Sequence, residues 1–413
     1  MSRWPLTVRR TGAVLLAVLC FIVAHAAKIT ELLYVSALLV AVVAASIATL
    51  YVVRRTEKVS RSFSPDVATA GREVDVHLQV EIRSPLPGAQ GRWRDALPDG
   101  VTGDAVGVFP ETASGMRSGG GVHLAYTVVA QRRGIRPIGP VSVVTTDPFA
   151  FARRRHTIGQ ALPLTVAPAI VDLGPLADQP GEAGGSMHST TDQLGQGTDN
   201  LIPRHYIPGD SMRRIHWRAS AHRDELMVRQ EEQETTPEAI VVLDRGATRW
   251  DPDAVRAPGA DPGFEIAVSA CVSTAARLVH EGYLVHVVDA DGTALADPID
   301  GGDTTAIEQL TIDFATITAH RGDTTAAPVA FLAGTMTGPL VYITGAIGET
   351  DAALLAPLAH HSSLPILLAV TPRGDALARA AAAGWRVAAI GTDTDLALAW
   401  GSVVDRGAHR VSF

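Results

Sequence analysis

The 413-residue chain contains only two cysteines. Cys20 lies inside an apolar run near the N-terminus, and Cys271 lies inside a helical pattern far along the chain. Neither residue has the partners or the spacing of a disulfide framework or of a thiolate metal site. We therefore expect the part outside any membrane to belong to a reducing compartment.

An excess of positive charge is also absent, because the formal net charge is −8. Affinity for nucleic acid comes from neutralising phosphates with Lys and Arg, so this balance argues against a general nucleic-acid-binding protein. Apolar residues make up 46% of the chain and charged residues 19%. A chain of this length and composition predicts two or three folded units with cores of their own.

The common catalytic motifs are missing as well. The sequence has no Gly-x-Ser-x-Gly elbow, no Walker-type phosphate loop and no His-Glu-x-x-His metalloprotease motif. The chain has 14 histidines, but no spacing singles out a Ser/His/Asp set. We predict a protein without catalytic residues, with a hydrolase or processing factor at the inner membrane face as the alternative.

Two long apolar runs stand out at the N-terminus, at residues 11–27 and 32–53. A helix needs about 20 apolar residues to cross a hydrocarbon core of roughly 30 Å, so both runs qualify as spans. Lys28 and Glu31 mark the short link between them. We predict a transmembrane hairpin within residues 1–58, although the first run also resembles the apolar core of a signal peptide.

Basic residues flank this hairpin on its outer ends. They are Arg3, Arg9 and Arg10 before the first span and Arg54, Arg55, Lys58 and Arg61 after the second, whereas the link holds Lys28. Positively charged flanks stay on the cytoplasmic side. We therefore predict a multi-pass protein of the cell membrane, with both ends and every later domain in the cytoplasm.

Residues 59–175 have the pattern of a β-rich, sandwich-like domain. The stretch Glu73–Arg83 alternates apolar and polar side chains, which is typical of a strand with one buried face. Val122–Ala130 and Val141–Thr145 behave similarly, and Gly and Pro residues punctuate the gaps. Several short strands over about 100 residues favour a β-sandwich.

Residues 237–413 have a different pattern, of apolar runs separated by helical segments. The runs are Ala239–Leu243, Leu284–Asp289, Leu340–Thr344, Ile366–Val370 and Gly384–Ile390. Continuous apolar runs are typical of parallel strands buried on both faces. Their alternation with helices predicts a doubly wound α/β domain. Residues 176–236 between the two domains hold a Gly- and Ser-rich linker and an Arg-rich segment.

The Arg-rich segment at residues 200–234 is the densest concentration of functional groups. Six arginines lie there beside three histidines and a Pro208-Gly209-Asp210 turn signal. In the structural interpretation, Arg forks pair with Asp210, Asp224 and Glu225 and fix the domain junction. In the functional one, the same forks bind an anion or a protein partner. Arg charges among the histidines would repel a metal cation.

The block Tyr206-x-Pro208-Gly209-Asp210-x-x-Arg213-Arg214-Ile215-His216-Trp217-Arg218-Ala219-Ser220-Ala221 carries a family resemblance. It resembles the signature of the domain-of-unknown-function 58 family, close to Y-x-P-G-D-x-x-R-x-I-D/H-W-x-x-S-A. The upstream runs from Arg132 to Pro140 and from Asp147 to Phe151 resemble the same family's pattern. The resemblance makes Tyr206, Pro208, Gly209, Asp210, Arg213, Arg214, His216, Trp217 and Ser220 the candidate interaction residues.

The resemblance implies a C-terminal domain similar to a von Willebrand factor A domain. Such domains often hold Mg²⁺ through Asp-x-Ser-x-Ser after the first strand. Here that loop reads Asp244-Arg245-Gly246-Ala247-Thr248, so Asp244 and Thr248 are the candidate ligands of a degenerate site. Gly246 replaces one hydroxyl and Arg245 adds positive charge, so we predict that the chain needs no cofactor.

The resemblance also implies a partner, because members of this family are often encoded beside a MoxR-type AAA+ ATPase. We therefore predict a non-enzymatic adaptor or scaffold that binds such an ATPase and other membrane proteins. Its role would be the assembly or activation of envelope proteins. An anion-sensing module that uses the Arg-rich segment is a further interpretation.

Overall fold

The computed structural model describes residues 8–51, 56–83, 90–110, 121–147, 151–176, 201–206, 212, 215–223, 225–231, 237–321 and 337–405. The described residues form two compact units. The first unit takes in Met1–Ile170 with Trp250–Ser269 and Glu308–Arg321. The second takes in Val171–Arg249, Ala270–Ile307 and Gly322–Phe413. Each unit therefore combines segments that are distant in sequence.

Two helices open the chain, α1 (Val8–Ala27) and α2 (Thr30–Tyr51). Both are long and apolar enough to cross a membrane, as the two apolar runs predict. Lys28 turns the chain between them in the left-handed region, with φ 60°. The Ser36 hydroxyl donates a hydrogen bond of 2.9 Å from α2 to the Ala17 carbonyl of α1. Ala17 and Ala24 are buried, so small residues let the helices approach closely.

The first unit continues with eleven strands. They are β1 (Thr56–Ser64), β2 (Val67–Thr69), β3 (Glu73–Arg83), β4 (Gly91–Asp95), β5 (Val101–Gly103), β6 (Val106–Phe109), β7 (Gly121–Ala130), β8 (Gly134–Ile138), β9 (Val141–Thr146), β10 (Arg153–Ile158) and β11 (Leu162–Ala167). The alternating pattern placed three of them, β3, β7 and β9, within one residue at each end.

These strands form three sheets, with orders β1-β3-β7-β5, β10-β9-β4-β6 and β2-β11-β8. The two four-stranded sheets are antiparallel throughout. Val76 and Leu124 of the first sheet, Trp93 and Val143 of the second and Leu164 of the third belong to one buried cluster. The inward positions of all three sheets therefore build one core.

A buried ion pair fixes the entry of β1 into this core. Arg61 donates to both carboxylate oxygens of Asp95, at 2.9 and 2.7 Å, and both side chains are almost fully buried. The Tyr126 hydroxyl donates to the same carboxylate at 2.6 Å. Burial, followed by this hydrogen bond, raises the pKa of Tyr126 well above its usual value. Arg61, counted above among the flanking positive charges, is therefore also a structural residue of the strand-rich unit.

The Arg-rich segment forms a small hairpin of its own. Strand β12 (Leu201–His205) pairs antiparallel with β13 (Met227–Glu231), and helix α3 (Trp217–Arg223) lies between them in sequence. Neither strand nor the helix is expected from the sequence. An isolated antiparallel bridge joins Ile215 to Val228, so the chain just before α3 also pairs with β13.

The C-terminal part contains a five-stranded parallel sheet. Its strands are β14 (Glu238–Leu243), β15 (Leu284–Asp289), β16 (Thr337–Ile347), β17 (Ser362–Pro372) and β18 (Arg386–Ala389), in the order β15-β14-β16-β17-β18. The helices are α4 (Asp253–Arg256), α5 (Pro262–His280), α6 (Thr304–Asp313), α7 (Glu349–Leu355), α8 (Ala376–Ala382) and α9 (Leu396–Val404). The predicted α/β class agrees with this arrangement, and all five predicted strands are present.

Candidate functional site

The strand order reverses direction at β14, which places a crevice at the carboxyl edge of the sheet. The chain leaves β14 for β15 on one side, and β16 later pairs with its other side. Ligands of open α/β sheets bind outside the carboxyl ends of the strands at such a switch point. Asp244 follows β14 directly, and Thr344 lies near the carboxyl end of β16. This edge therefore has the position that ligand sites occupy in open α/β sheets.

The Asp244 side chain is only 2% exposed and is held by several donors. The Thr344 hydroxyl donates to its Oδ2 at 2.9 Å, and the Tyr342 hydroxyl lies 3.4 Å from the same oxygen. The backbone N–H of Gly246 donates to Oδ1 at 3.1 Å. Burial, and then the Asp244 charge, raise the pKa of Tyr342 well above its usual value. Tyr342 therefore stays neutral and acts as a donor here.

Arg249 supplies the positive charge of this crevice. Its Nε lies 3.4 Å from Asp244 Oδ2, and its Nη1 and Nη2 contact Asp351 at 2.8 and 3.0 Å. Nη1 also donates to the Ala346 carbonyl at 3.1 Å. Burial alone would lower the pKa of Arg249, but the hydrogen bond with Asp351 and the charge of Asp244 raise it above its usual value. The guanidinium is therefore a permanent cation between two carboxylates.

These groups line a small cleft beside the carboxyl edge of the sheet. Its lining residues are Asp244, Arg249, Tyr342, Thr344, Ile347, Asp351, Leu354 and Leu355. The sequence pointed to Asp244 but not to Arg249, Tyr342 or Asp351. Asp351 lies in the first turn of α7, and its carboxylate accepts the Gly348 N–H at 2.9 Å. Its position at the start of a helix, where acidic side chains cap the backbone, is the one sequence feature that could have indicated Asp351.

The second sequence-predicted ligand, Thr248, lies elsewhere. It is exposed on the short 3₁₀ helix Ala247–Arg249, whereas Asp244 is buried. A divalent cation needs several oxygen ligands around one point, and a cation at Asp244 would have to displace the guanidinium of Arg249. Within the part of the chain that the structure describes, no group of three or more His, Cys, Asp or Glu residues has the arrangement of a metal site. The side chains as placed do not fit a bound Mg²⁺.

A second ion pair lies at the end of the neighbouring strand. Arg245 Nε is 3.4 Å from Asp289 Oδ2, and the Arg245 N–H donates to Oδ1 at 3.2 Å. The Ala290 N–H donates to the same Oδ1 at 2.7 Å. Arg245 was expected to weaken cation binding beside Asp244, and the structure pairs it with the buried Asp289 instead. Each acidic strand end, at β14 and at β15, therefore has its own arginine.

The family-like signature is only partly visible. Pro208, Gly209, Asp210, Arg213 and Arg214 lie outside the described residues. The Tyr206 N–H donates to the Leu226 carbonyl at 2.8 Å, and the His216 N–H donates to the Met227 carbonyl at 2.7 Å. The Ser220 hydroxyl accepts the Met227 N–H at 2.8 Å and donates to the His216 carbonyl at 3.1 Å. The visible part of the signature thus closes a compact turn around Ser220.

Three large apolar side chains in this same segment face solvent. Trp217 is 66% exposed, Met212 61% and Leu226 43%. Exposed polar residues lie close to them in sequence, and His205 Nδ1 contacts Glu225 Oε2 at 2.8 Å. A single exposed apolar residue is ordinary, but three large exposed apolar side chains within fifteen residues favour a contact segment. We call Met212, Trp217 and Leu226 the signature surface.

A comparison of the sequence with protein-family models gives a match that covers this segment. The family described as "Protein of unknown function DUF58" matches residues 203–327. The matched range begins in β12, includes the visible signature, continues through β14, Asp244 and Arg249, and ends beyond α6. No curated protein sequence matches the chain.

Proposed function

We propose that this chain is a membrane-anchored adaptor that holds a protein partner at the cytoplasmic face. The hairpin α1–α2 is the anchor, and the basic residues on its outer ends keep the later domains in the cytoplasm. The strand-rich unit acts as a sandwich-like spacer. The parallel sheet acts as a von Willebrand A-like domain, and the β12–β13 hairpin with α3 presents the contact surface.

One observation carries this proposal, the exposed signature surface. Trp217 begins α3 with two thirds of its surface in solvent, although the Ser220 hydrogen bonds fix the turn around it. Tryptophan is the residue most enriched among the anchors of protein interfaces, because it removes a large area from water at little entropic cost. A rigid turn that displays a tryptophan suits recognition rather than catalysis.

The cleft beside Asp244 supports a mode of binding that needs no metal. Here Arg249 already pairs with Asp244 and Asp351, so a partner would meet a closed ion-pair network with Leu354 46% exposed at its rim. The adaptor therefore relies on the signature surface and not on ion coordination.

The class of partner comes from the family resemblance. A MoxR-type AAA+ ATPase is the proposed cytoplasmic partner, and other membrane proteins of the envelope are the proposed clients. An ATPase docked at the signature surface would act on clients that lie beside the α1–α2 hairpin.

A photo-crosslinking experiment tests this proposal. p-Benzoylphenylalanine replaces Trp217 in one form of the full chain and Leu398 in the control form, since Leu398 is 74% exposed on α9. After irradiation in native membranes, mass spectrometry identifies the products. We expect an AAA+ ATPase among the adducts from position 217 and not from position 398. Equal labelling from both positions, or no ATPase at an adequate expression level, contradicts the proposal.

A second variant separates binding from folding. Trp217→Ala removes the exposed ring, and we expect it to lose the ATPase adduct formed from a probe at Leu226, the neighbouring member of the surface. The melting temperature should stay that of the parent chain, because the ring buries little area within the fold. A loss of adduct together with a large drop in melting temperature would instead assign Trp217 a structural role.

A further inference from the structure

The outward face of the sheet β10-β9-β4-β6 carries four arginines. The register pairs Arg155 with Val144 and Val144 with Arg92, so Arg155 and Arg92 share a face. It likewise pairs Ser142 with Arg94. Arg153, two residues from Arg155, lies on the same face because side chains alternate along a strand. All four arginines are exposed, and we call this surface the basic face.

The strands of this sheet that the structure describes contain a single acidic residue. This residue, Asp95, is buried on the opposite face and paired with Arg61. Val106 and Val108 of the edge strand β6 are also exposed there, at 42% and 56%. The basic face thus concentrates positive charge and some apolar surface in a chain whose net charge is −8.

The position of this sheet in the first unit narrows the choice of binding partner. Its edge strand β10 lies against α2, one of the two helices long enough to cross a membrane. Strand β1, which starts within five residues of the end of α2, also contacts β10. The basic face therefore lies on a sheet that contacts α2 directly, and lipid headgroups surround the ends of a helix that spans a bilayer.

We propose that the basic face binds the anionic phospholipid headgroups of the membrane that holds α1 and α2. Arg forks match phosphate oxygens bidentately, and a negatively charged leaflet attracts basic residues within a Debye length of its surface. Val106 and Val108 would contact the headgroup boundary. This binding is independent of the signature surface, and it fixes how the first unit lies on the bilayer.

A quenching experiment in nanodiscs tests the proposal. The full chain, with Cys20→Ala, carries a bimane label at Val108→Cys, while Cys271 is buried and does not react. Strand β6 lies three strand spacings, or about 14 Å, from β10. A label at position 108 therefore distinguishes a sheet whose basic face lies on the bilayer from a sheet that touches lipid only through β10. Spin-labelled phosphocholine headgroups provide the quencher, in discs of phosphatidylcholine with or without phosphatidylglycerol.

We expect at least two-fold stronger quenching in discs that contain phosphatidylglycerol than in neutral discs. The difference should largely disappear in 1 M salt, which screens charges beyond about 3 Å. A label at Ile135→Cys, exposed on β8 in another sheet, serves as the positional control and should show no dependence on lipid charge.

Charge variants of the labelled chain complete the test. Arg92→Gln, Arg94→Gln and Arg155→Gln together should abolish the lipid-dependent difference. The matched control replaces three exposed arginines off the basic face, Arg72, Arg256 and Arg373, with Gln and should keep it. Circular dichroism and thermal melting verify that both forms fold.

Three outcomes would overturn the proposal. The first is equal quenching at position 108 in neutral and anionic discs. This outcome is measured on the labelled parent chain alone and does not depend on the folding of the charge variants. The second is an equal effect of both triple variants. The third is a change in bimane fluorescence on addition of soluble polyglutamate, with no response to lipid composition, which would assign the face to an acidic protein.

Discussion

Arg249 binds Asp351 through two nitrogens, with Nη1 2.8 Å from Oδ2 and Nη2 3.0 Å from Oδ1, although the two residues are 102 positions apart in sequence. The same guanidinium reaches Asp244, so one side chain connects the loop after β14 with the start of α7. Bidentate pairs of this kind are geometrically specific and stronger than neutral hydrogen bonds. The carboxyl edge of the sheet is therefore held closed by this arginine.

Asp351→Asn should destabilise the second unit by about 1–3 kcal/mol at neutral pH, the usual cost of losing a charged hydrogen-bond partner. The hydrogen bond from Arg249 lowers the pKa of Asp351, with further help from the Gly348 N–H. Since the folded pKa lies below the unfolded one, the stabilisation is complete above about pH 4 and is lost as the pH falls through the folded value. Thermal melts of the parent and Asp351→Asn chains should therefore converge in acid.

Asp375→Asn is a suitable control, because Asp375 is an exposed acid beside α8. We expect its melting curve to follow that of the parent chain at every pH. A difference between parent and Asp351→Asn that stays constant from pH 7 to pH 3 would show that the carboxylate charge is not what stabilises the network.

Arg249→Ala should convert the cleft into a site that responds to divalent cations. Removal of the guanidinium leaves Asp244, Asp351 and the Thr344 hydroxyl around the vacated space, and these are the hard oxygen ligands that Mg²⁺ prefers. We expect the variant to melt several degrees lower than the parent chain and to regain part of that loss in millimolar MgCl₂. The parent chain should show no such gain.

The double variant Arg249→Ala, Asp244→Asn provides the control for this experiment. It lacks one carboxylate, so MgCl₂ should no longer raise its melting temperature. Equal stabilisation of the parent and Arg249→Ala chains by MgCl₂ would mean that the cation binds elsewhere or that Arg249 does not exclude it.

The parallel sheet was predictable because its strands are buried on both faces. Residues such as Val241 and Ile343 meet no water on either side, so their segments read as continuous apolar runs, although β16 and β17 extend two to four residues beyond those runs at each end. The closing network was not predictable, since Arg249 and Asp351 meet only after β16 has paired with β14. Arg249 lies six positions after the end of β14, and no periodicity at that place predicts its partner.

The sequence likewise identifies the signature motif, but it does not distinguish the roles of the residues within that motif. Ser220 and Trp217 stand three residues apart in one motif, but one closes a turn and the other faces solvent. The run Arg132-Arg133-Gly134 gave no hint that Arg133 would be 1% exposed while Arg132 stays in solvent. Burial of this kind depends on segments 120 or more residues away, which local patterns do not report.

Arg133→Ala should be among the most damaging substitutions in the first unit. Arg133 donates to Glu265 at 2.6 Å and to the Phe314 carbonyl at 2.6 Å, and its guanidinium lies 5.5 Å from the centre of the Phe264 ring. Truncating one partner of a buried pair costs about 3–5 kcal/mol. Urea unfolding should show this loss, and Arg133→Lys should recover only part of it because one ammonium cannot replace the fork.

The adjacent Arg132→Ala tests whether the effect is specific. Arg132 is exposed, so its truncation should change the free energy of unfolding by no more than about 0.5 kcal/mol. If both variants lost the same stability, the packing of Arg133 against Glu265 and Phe314 would not be responsible.

Ser220→Ala should lower the stability of the hairpin, whereas Trp217→Ala should weaken the binding of the partner. Ser220→Ala leaves the Met227 N–H without its 2.8 Å acceptor in a buried position, which costs about 1–3 kcal/mol. Trp217→Ala removes an exposed ring, so it should stay within about 0.5 kcal/mol of the parent chain. Hydrogen exchange of the β12–β13 hairpin measures the first effect, and crosslinking to the partner measures the second. If Ser220→Ala leaves exchange unchanged while Trp217→Ala accelerates it, the roles assigned to the two signature residues are reversed.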